Sequence, residues 1–173
     1  MSIGHKNLFS DLIMMHCGIS LDNNSSQDIQ NPVQSGLGIK ECEMGKYGEA
    51  AILAVRLFTK SKAGNPVNAW KQAMAQVFPD SQSSRKKSCP KSTFLGLCEE
   101  GLVVGVAAGN YTTSIDNKRY ALQAVKQLRK NPALVDDGVK LWKTIIGTEN
   151  KVENSQMDVV ISLWRNGLLD CDV

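Results

Sequence analysis

Histidine is almost missing from this chain: His5 and His16 are the only two in 173 residues, and both stand near the start. A cysteine nucleophile in the body of the chain would therefore lack the imidazole base that such chemistry normally uses. Long apolar runs are missing too. None approaches the ~18 residues that a membrane-spanning helix needs. The opening, MSIGHKNLFSDLIMMHC, holds one lysine and an apolar run only from Leu12 to Met15, with Asp11 interrupting its approach. That is a poor secretory signal, so an intracellular, cytoplasmic protein with no membrane partner is expected. The five cysteines are odd in number, widely spaced and contain no C-x-x-C pair. They read as reduced thiols rather than a disulfide framework. Gly101, Gly105 and Gly109 are followed by neither Lys-Ser nor Lys-Thr and do not form G-x-G-x-x-G, which excludes the common phosphate loops.

What is present is globular: 42% apolar and 21% charged residues, in a length that suits one domain with a proper core. The net charge of +3 is unevenly spread. Up to residue 45, Lys6 and Lys40 face Asp11, Asp22, Asp28, Glu41 and Glu43, so the remainder carries the basic excess. That excess permits an anionic partner.

Residues 7–17 have helical spacing, and 19–43 follow as a flexible linker rich in Asn, Ser, Gln and Gly. Residues 1–43 are thus expected as an N-terminal extension and 44–173 as a compact domain. Within it, Ala50, Leu53, Ala54, Leu57 and Phe58 mark one helix face. Asn65-Pro66 opens a second helix with the stripe Val67, Trp70, Met74, Val77 and Phe78. Pro90 opens a third, with Phe94, Leu97 and Cys98 inward. Its exit is Gly101. LVVGVAAGNY reads as a short hairpin or an irregular buried segment, near 102–112. Thr113 or Ser114 caps a fourth helix, a fifth spans about 137–146, and Ser155 with Asp158 suggests a capping box for the last. The expected fold is all-α: a compact bundle of five or six short helices with one small Gly-rich hairpin or irregular segment.

MGKYGEAA at 44–51, NPVNAWKQA at 65–73, FPDSQSSRKKSCPKSTFLGLCEEGLV at 78–103 and QMDVVISLWRNGLL at 156–169 carry a resemblance. Over roughly 44–169 the chain resembles a family of uncharacterised bacterial proteins. Members begin near the equivalent of Met44, which agrees with the composition break there. The resemblance implies a domain boundary and no activity.

Arg85, Lys86 and Lys87 are consecutive, and Lys91 follows one helical turn on. Such cations, with the free N–H groups at the start of the third helix, suit phosphate. A solvated loop is the plainer account. The loop between helices two and three, at about ten residues, is also too long for a helix-turn-helix. Lys118 and Arg119 are candidate helpers. Cys89 precedes a helix and has cations nearby, which would lower its pKa, whereas Cys98 falls on an apolar face. His16, Cys17 and Cys42 fit no common zinc spacing. The pairs Glu99-Glu100 and Asp136-Asp137 each offer one usable carboxylate, and Asp136-Asp137 is explained as helix-entry capping. Trp70, Trp142 and Trp164 read as core.

The reading is a binding module with no catalytic residue, metal or cofactor assigned. Nucleic acid is its leading ligand, through Arg85, Lys86, Lys87, Lys91, Lys118 and Arg119. A protein-interaction or oligomerisation module that uses residues 1–43 to engage a partner or second copy is the alternative. A small hydrolase or nuclease uniting Glu99 or Glu100 with Asp158 comes third.

Overall fold

A computed structural model of the protein describes residues 44–61 and 65–170. The helix expected at 7–17 and the linker at 19–43 lie outside the described residues, as do both histidines and Cys17, Cys42 and Cys171. The described residues are mostly helical. The helices are α1 (Lys46–Ser61), α2 (Pro66–Val77), α3 (Ser88–Glu99), α4 (Ile115–Lys130), α5 (Gly138–Ile146) and α6 (Gln156–Arg165). A single helical turn, Gln82–Arg85, joins α2 to α3, and a 3-10 turn, Pro132–Asp136, joins α4 to α5.

The helices begin and end where local chemistry asks them to. Asn65 Oδ1 accepts the Val67 N–H at 2.8 Å, and Pro66 follows in the first helical position, where its missing N–H costs nothing. Asp137 caps α5 by accepting the Lys140 N–H at 2.8 Å. Gly147 ends α5 at φ 56°, a left-handed conformation that a β-carbon would disfavour.

Packing explains where sequence periodicity fell short. α6 touches α1, α3, α4 and α5, and α3 lies between α4 and α6. An enclosed helix is apolar on nearly every side. Thr93 to Cys98 are accordingly buried without a break, a wider surface than the stripe of Phe94, Leu97 and Cys98. In α1 the buried face centres on Tyr47, Ala50, Ala51, Ala54 and Val55, while Leu53, Leu57 and Phe58 lie half-buried at its rim. The alanines let two neighbours, α2 and α6, approach the α1 backbone from adjacent sides. Trp70 and Trp142 are core residues, and Trp164 is half-buried against that core.

The capping box expected at Ser155 and Asp158 does not form. Ser155 is left-handed at φ 64° and makes no capping bond; Glu153 Oε1 accepts the Met157 N–H at 3.0 Å instead. Asp158 serves a different helix. Its Oδ2 accepts the Gly48 N–H at 3.0 Å, so a side chain of α6 caps α1 across a separation of 110 residues. Burial raises the Asp158 carboxyl above its ordinary range, against the opposing pull of backbone N–H donors at Gly48, Tyr47 and Gly45.

This junction needs glycine. A β-carbon on Gly48 would overlap the Ser162 side chain and stand 2.7 Å from Asp158 Oδ1. Gly48→Ala is expected to destabilise the domain by about 2 kcal/mol through forced repacking. Thermal unfolding by circular dichroism then shows a midpoint lowered by roughly 5–10 °C. An unchanged midpoint would mean that α1 and α6 do not meet here.

Residues 102–112 are irregular, and the hairpin alternative does not occur. Val103 bridges to Leu169 instead, with Val104 N–H donating to Leu168 O at 3.0 Å and Asp170 N–H to Leu102 O at 2.8 Å. Leu102, Val103 and Val106 are buried. Gly101 and Gly105 take φ of 71° and 78°, turning the chain between these apolar anchors.

Candidate functional site

The basic loop is held rather than loose. Ser81 Oγ accepts the Ser84 N–H at 3.3 Å, and the Tyr47 hydroxyl donates to Ser84 O at 3.2 Å. The Tyr47 ring packs on Phe78 with centroids 4.9 Å apart. Lys87 Nζ sits 5.4 Å from the Tyr47 ring centroid and donates to Asn154 Oδ1 at 3.2 Å. This anchoring divides the three consecutive cations. Lys87 is drawn to Tyr47 and Asn154, whereas Arg85 and Lys86 face a cleft.

That cleft, of about 400 Å³, has an apolar floor of Val67, Trp70, Met74 and Ala75. Lys71, Arg85, Lys86 and Lys91 surround it. None of the four is in an ion pair among the described residues. Trp70 is only 2% exposed and is stacked on Phe94 at 5.2 Å, so the floor is fixed to the core. α3 starts beside it with no side chain capping its first turn, which leaves N–H groups unsatisfied. Cations around an apolar floor suit an anion bearing an apolar part.

A second cleft of about 410 Å³ shares Val67 and Lys91 with the first and adds Ser88, Ser92, Tyr111 and Thr112. A third, of about 610 Å³, shares Asn110, Thr112 and Thr113 with the second. Lys118 and Arg119 line this third cleft, apart from Arg85 and Lys86. Both are already paired. Lys118 Nζ lies 2.7 Å from Glu99 Oε1 and also pairs with Glu100. Arg119 holds Glu149 at 3.0 Å and Asp116 at 3.4 Å. Their charge is largely spent within the fold.

Glu99 organises the segment between the second and third clefts. Its Oε2 accepts the Tyr111 and Thr112 N–H groups at 2.7 and 2.9 Å, while Oε1 takes Lys118. The Lys118 ammonium first, then the Thr112 and Tyr111 N–H groups, pull its carboxyl from 4.5 down to about 2. A depressed carboxyl contributes stability above its unfolded value, near 4.5, and loses it as pH falls through about 2. Amide exchange at Tyr111 and Thr112, corrected for the intrinsic pH dependence, is expected to accelerate across that window. Glu99→Gln should show the fast exchange already at neutral pH. Protection that survives both changes would contradict the clamp.

The carboxylates of the hydrolase reading are each engaged elsewhere, Glu99 and Glu100 by Lys118 and Asp158 by α1. Asn154 Nδ2 lies 3.6 Å from Cys89 Sγ, which puts the approach to α6 beside the start of α3. Glu99 ends α3, ten residues and about 15 Å further along. Asp158 is bound to α1, and Asp136 takes Arg165 at 2.8 Å. Cys98 is fully buried, and burial drives its thiol far up, which removes it as a nucleophile. Cys89 is half-buried in the first turn of α3. Among the described residues no group of three or more His, Cys, Asp or Glu is arranged to hold a metal ion. No helix among them is long and apolar enough to cross a membrane.

Sequence reasoning missed Lys71 and Tyr47; the stretch Asn110 to Thr113, polar and beside the central turn, is legible as a candidate lining of a binding surface. Lys71 adjoins Trp70 on α2, and the NPVNAWKQA segment signals a cap and a buried stripe but nothing about the helix edge that carries Lys71.

With this geometry fixed, comparison with known proteins adds one positive finding. A family profile described as "Family of unknown function (DUF6979)" matches residues 44–170. The chain belongs to this family. No curated protein and no solved structure matches the chain. The match places the basic cleft, the Glu99 clamp and the Asp158 junction all inside the DUF6979 domain.

Proposed function

We propose that the DUF6979 domain of this protein is a non-enzymatic binding module that takes nucleic acid by its phosphate backbone, in a reducing cytoplasmic setting. The observation that carries the reading is the first cleft. Lys71, Arg85, Lys86 and Lys91 converge on it without carboxylate partners among the described residues. Unpaired cations gathered on one face cost mutual repulsion, and a polyanion relieves it while releasing its own counterions. The uncapped start of α3 lies at the adjoining second cleft, where Ser88 is part of the lining. Anchoring of the loop through Tyr47 means that little ordering is needed on binding. Free thiols at Cys89 and Cys98 suit the reducing compartment.

Fluorescence anisotropy with labelled random-sequence DNA and RNA at about 50 mM salt tests the reading. Saturable binding is expected for both, since backbone contacts carry no sequence information. No binding to either would end it.

A further inference from the structure

The three clefts form one track, because each shares lining residues with the next. Its two ends differ in charge. The first is ringed by unpaired cations. At the third, the two lining cations are already paired, Lys118 with Glu99 and Glu100 and Arg119 with Asp116 and Glu149. Phosphate is favoured at the first cleft, whose cations have no carboxylate partner among the described residues, over the third, whose cations are already paired. Beside these ion pairs the third cleft offers uncharged groups: the amide of Asn110, the hydroxyl of exposed Thr113, and the apolar Leu122 beside Ile115, which is 82% exposed.

Between the ends stands Tyr111, half-buried in the second cleft. Its N–H is held by Glu99 and its hydroxyl donates to Ala107 O at 3.0 Å. The ring is thus oriented before any ligand arrives. A cationic entry followed by a fixed aromatic ring and a hydrogen-bonding pocket whose charges are already paired is the pattern that single strands use, with phosphates on cations and bases on π-faces.

Resting on the function proposed above, we infer that the track seats one extended single strand of nucleic acid. Its phosphates lie over the first cleft, one base stacks on Tyr111, and the next enters the third cleft. A duplex keeps its bases stacked inward and presents phosphate along its whole surface, so it meets the first cleft alone.

The test uses the full chain and labelled homopolymeric single strands of graded length, beside matched blunt duplexes, at about 50 mM salt. Single strands should bind about tenfold or more tighter than duplexes, with affinity levelling off after a few nucleotides. Tyr111→Ala should weaken single-strand binding about tenfold while leaving the salt slope unchanged, because no phosphate contact is lost. Thr113→Glu, at an exposed position shared by the second and third clefts, should weaken it as well and stands in if the tyrosine variant does not fold. Equal binding of duplex and single strand, sensitive to Arg85 and Lys86 but indifferent to Tyr111 and Thr113, would overturn the track and leave the phosphate-binding function standing. No binding of either form would overturn both.

Discussion

Phe94→Ala lowers stability by about 3–5 kcal/mol. Phe94 is 0% exposed, lies midway along α3 and stacks on Trp70 at 5.2 Å. Truncation removes the apolar transfer energy and leaves a cavity between α2 and α3, where a rigid indole cannot follow it inward. Against a typical total of about 5–15 kcal/mol, that change brings the domain close to unfolding at ambient temperature. Urea titration followed by tryptophan fluorescence measures it, since Trp70 reports directly on the site. Phe94→Leu should recover a good part of the loss. A cost below about 1 kcal/mol for the alanine variant would mean that Phe94 is not enclosed and that the cleft floor is not fixed to the core.

Arg85→Glu/Lys86→Glu/Lys91→Glu is expected to abolish the proposed nucleic-acid binding, with affinity falling about 100-fold or more at about 50 mM salt. All three cations line the first cleft, and their reversal turns an attractive surface repulsive. Arg85 and Lys86 are exposed, and none of the three is in an ion pair among the described residues, so thermal stability should barely change. Lys87→Glu is the informative contrast. Lys87 is adjacent in sequence but is turned to Tyr47 and Asn154, so its reversal should cost far less affinity. Equal losses from Lys87→Glu and Lys91→Glu would show that charge alone, and not the cleft, governs binding.

That contrast marks how much was legible in the sequence. Helices announced themselves through apolar spacing and through Asn65-Pro66, Gly101 and Gly147, because these signals act within one turn of chain. The all-α bundle followed. Features set by distant partners did not. Asp158 has the spacing of a local cap, yet it bonds to Gly48 because α1 packs on α6. Val103 pairs with Leu169 where a hairpin was an open alternative, since the C-terminal segment supplies its partner.

The site shows the same division. Arg85, Lys86 and Lys91 are read from composition, and the fold brings them to one cleft. Lys118 and Arg119 look equally available in the sequence. Only the structure places Glu99, Glu100 and Glu149 against them. Lys71 joins the cluster because α2 turns that edge toward the loop, a consequence of tertiary packing that no local pattern carries.

The salt dependence of binding tests the central claim most directly. Affinity of the full-length protein for a labelled random-sequence single strand would be measured by anisotropy between about 50 and 200 mM monovalent salt. Three or four cations meeting phosphates predict a slope of log affinity against log salt near −2 to −3. The variant carrying Glu at 85, 86 and 91 should show no measurable binding over the same range. Binding that does not change with salt, or that survives in that variant, would contradict phosphate recognition at the first cleft.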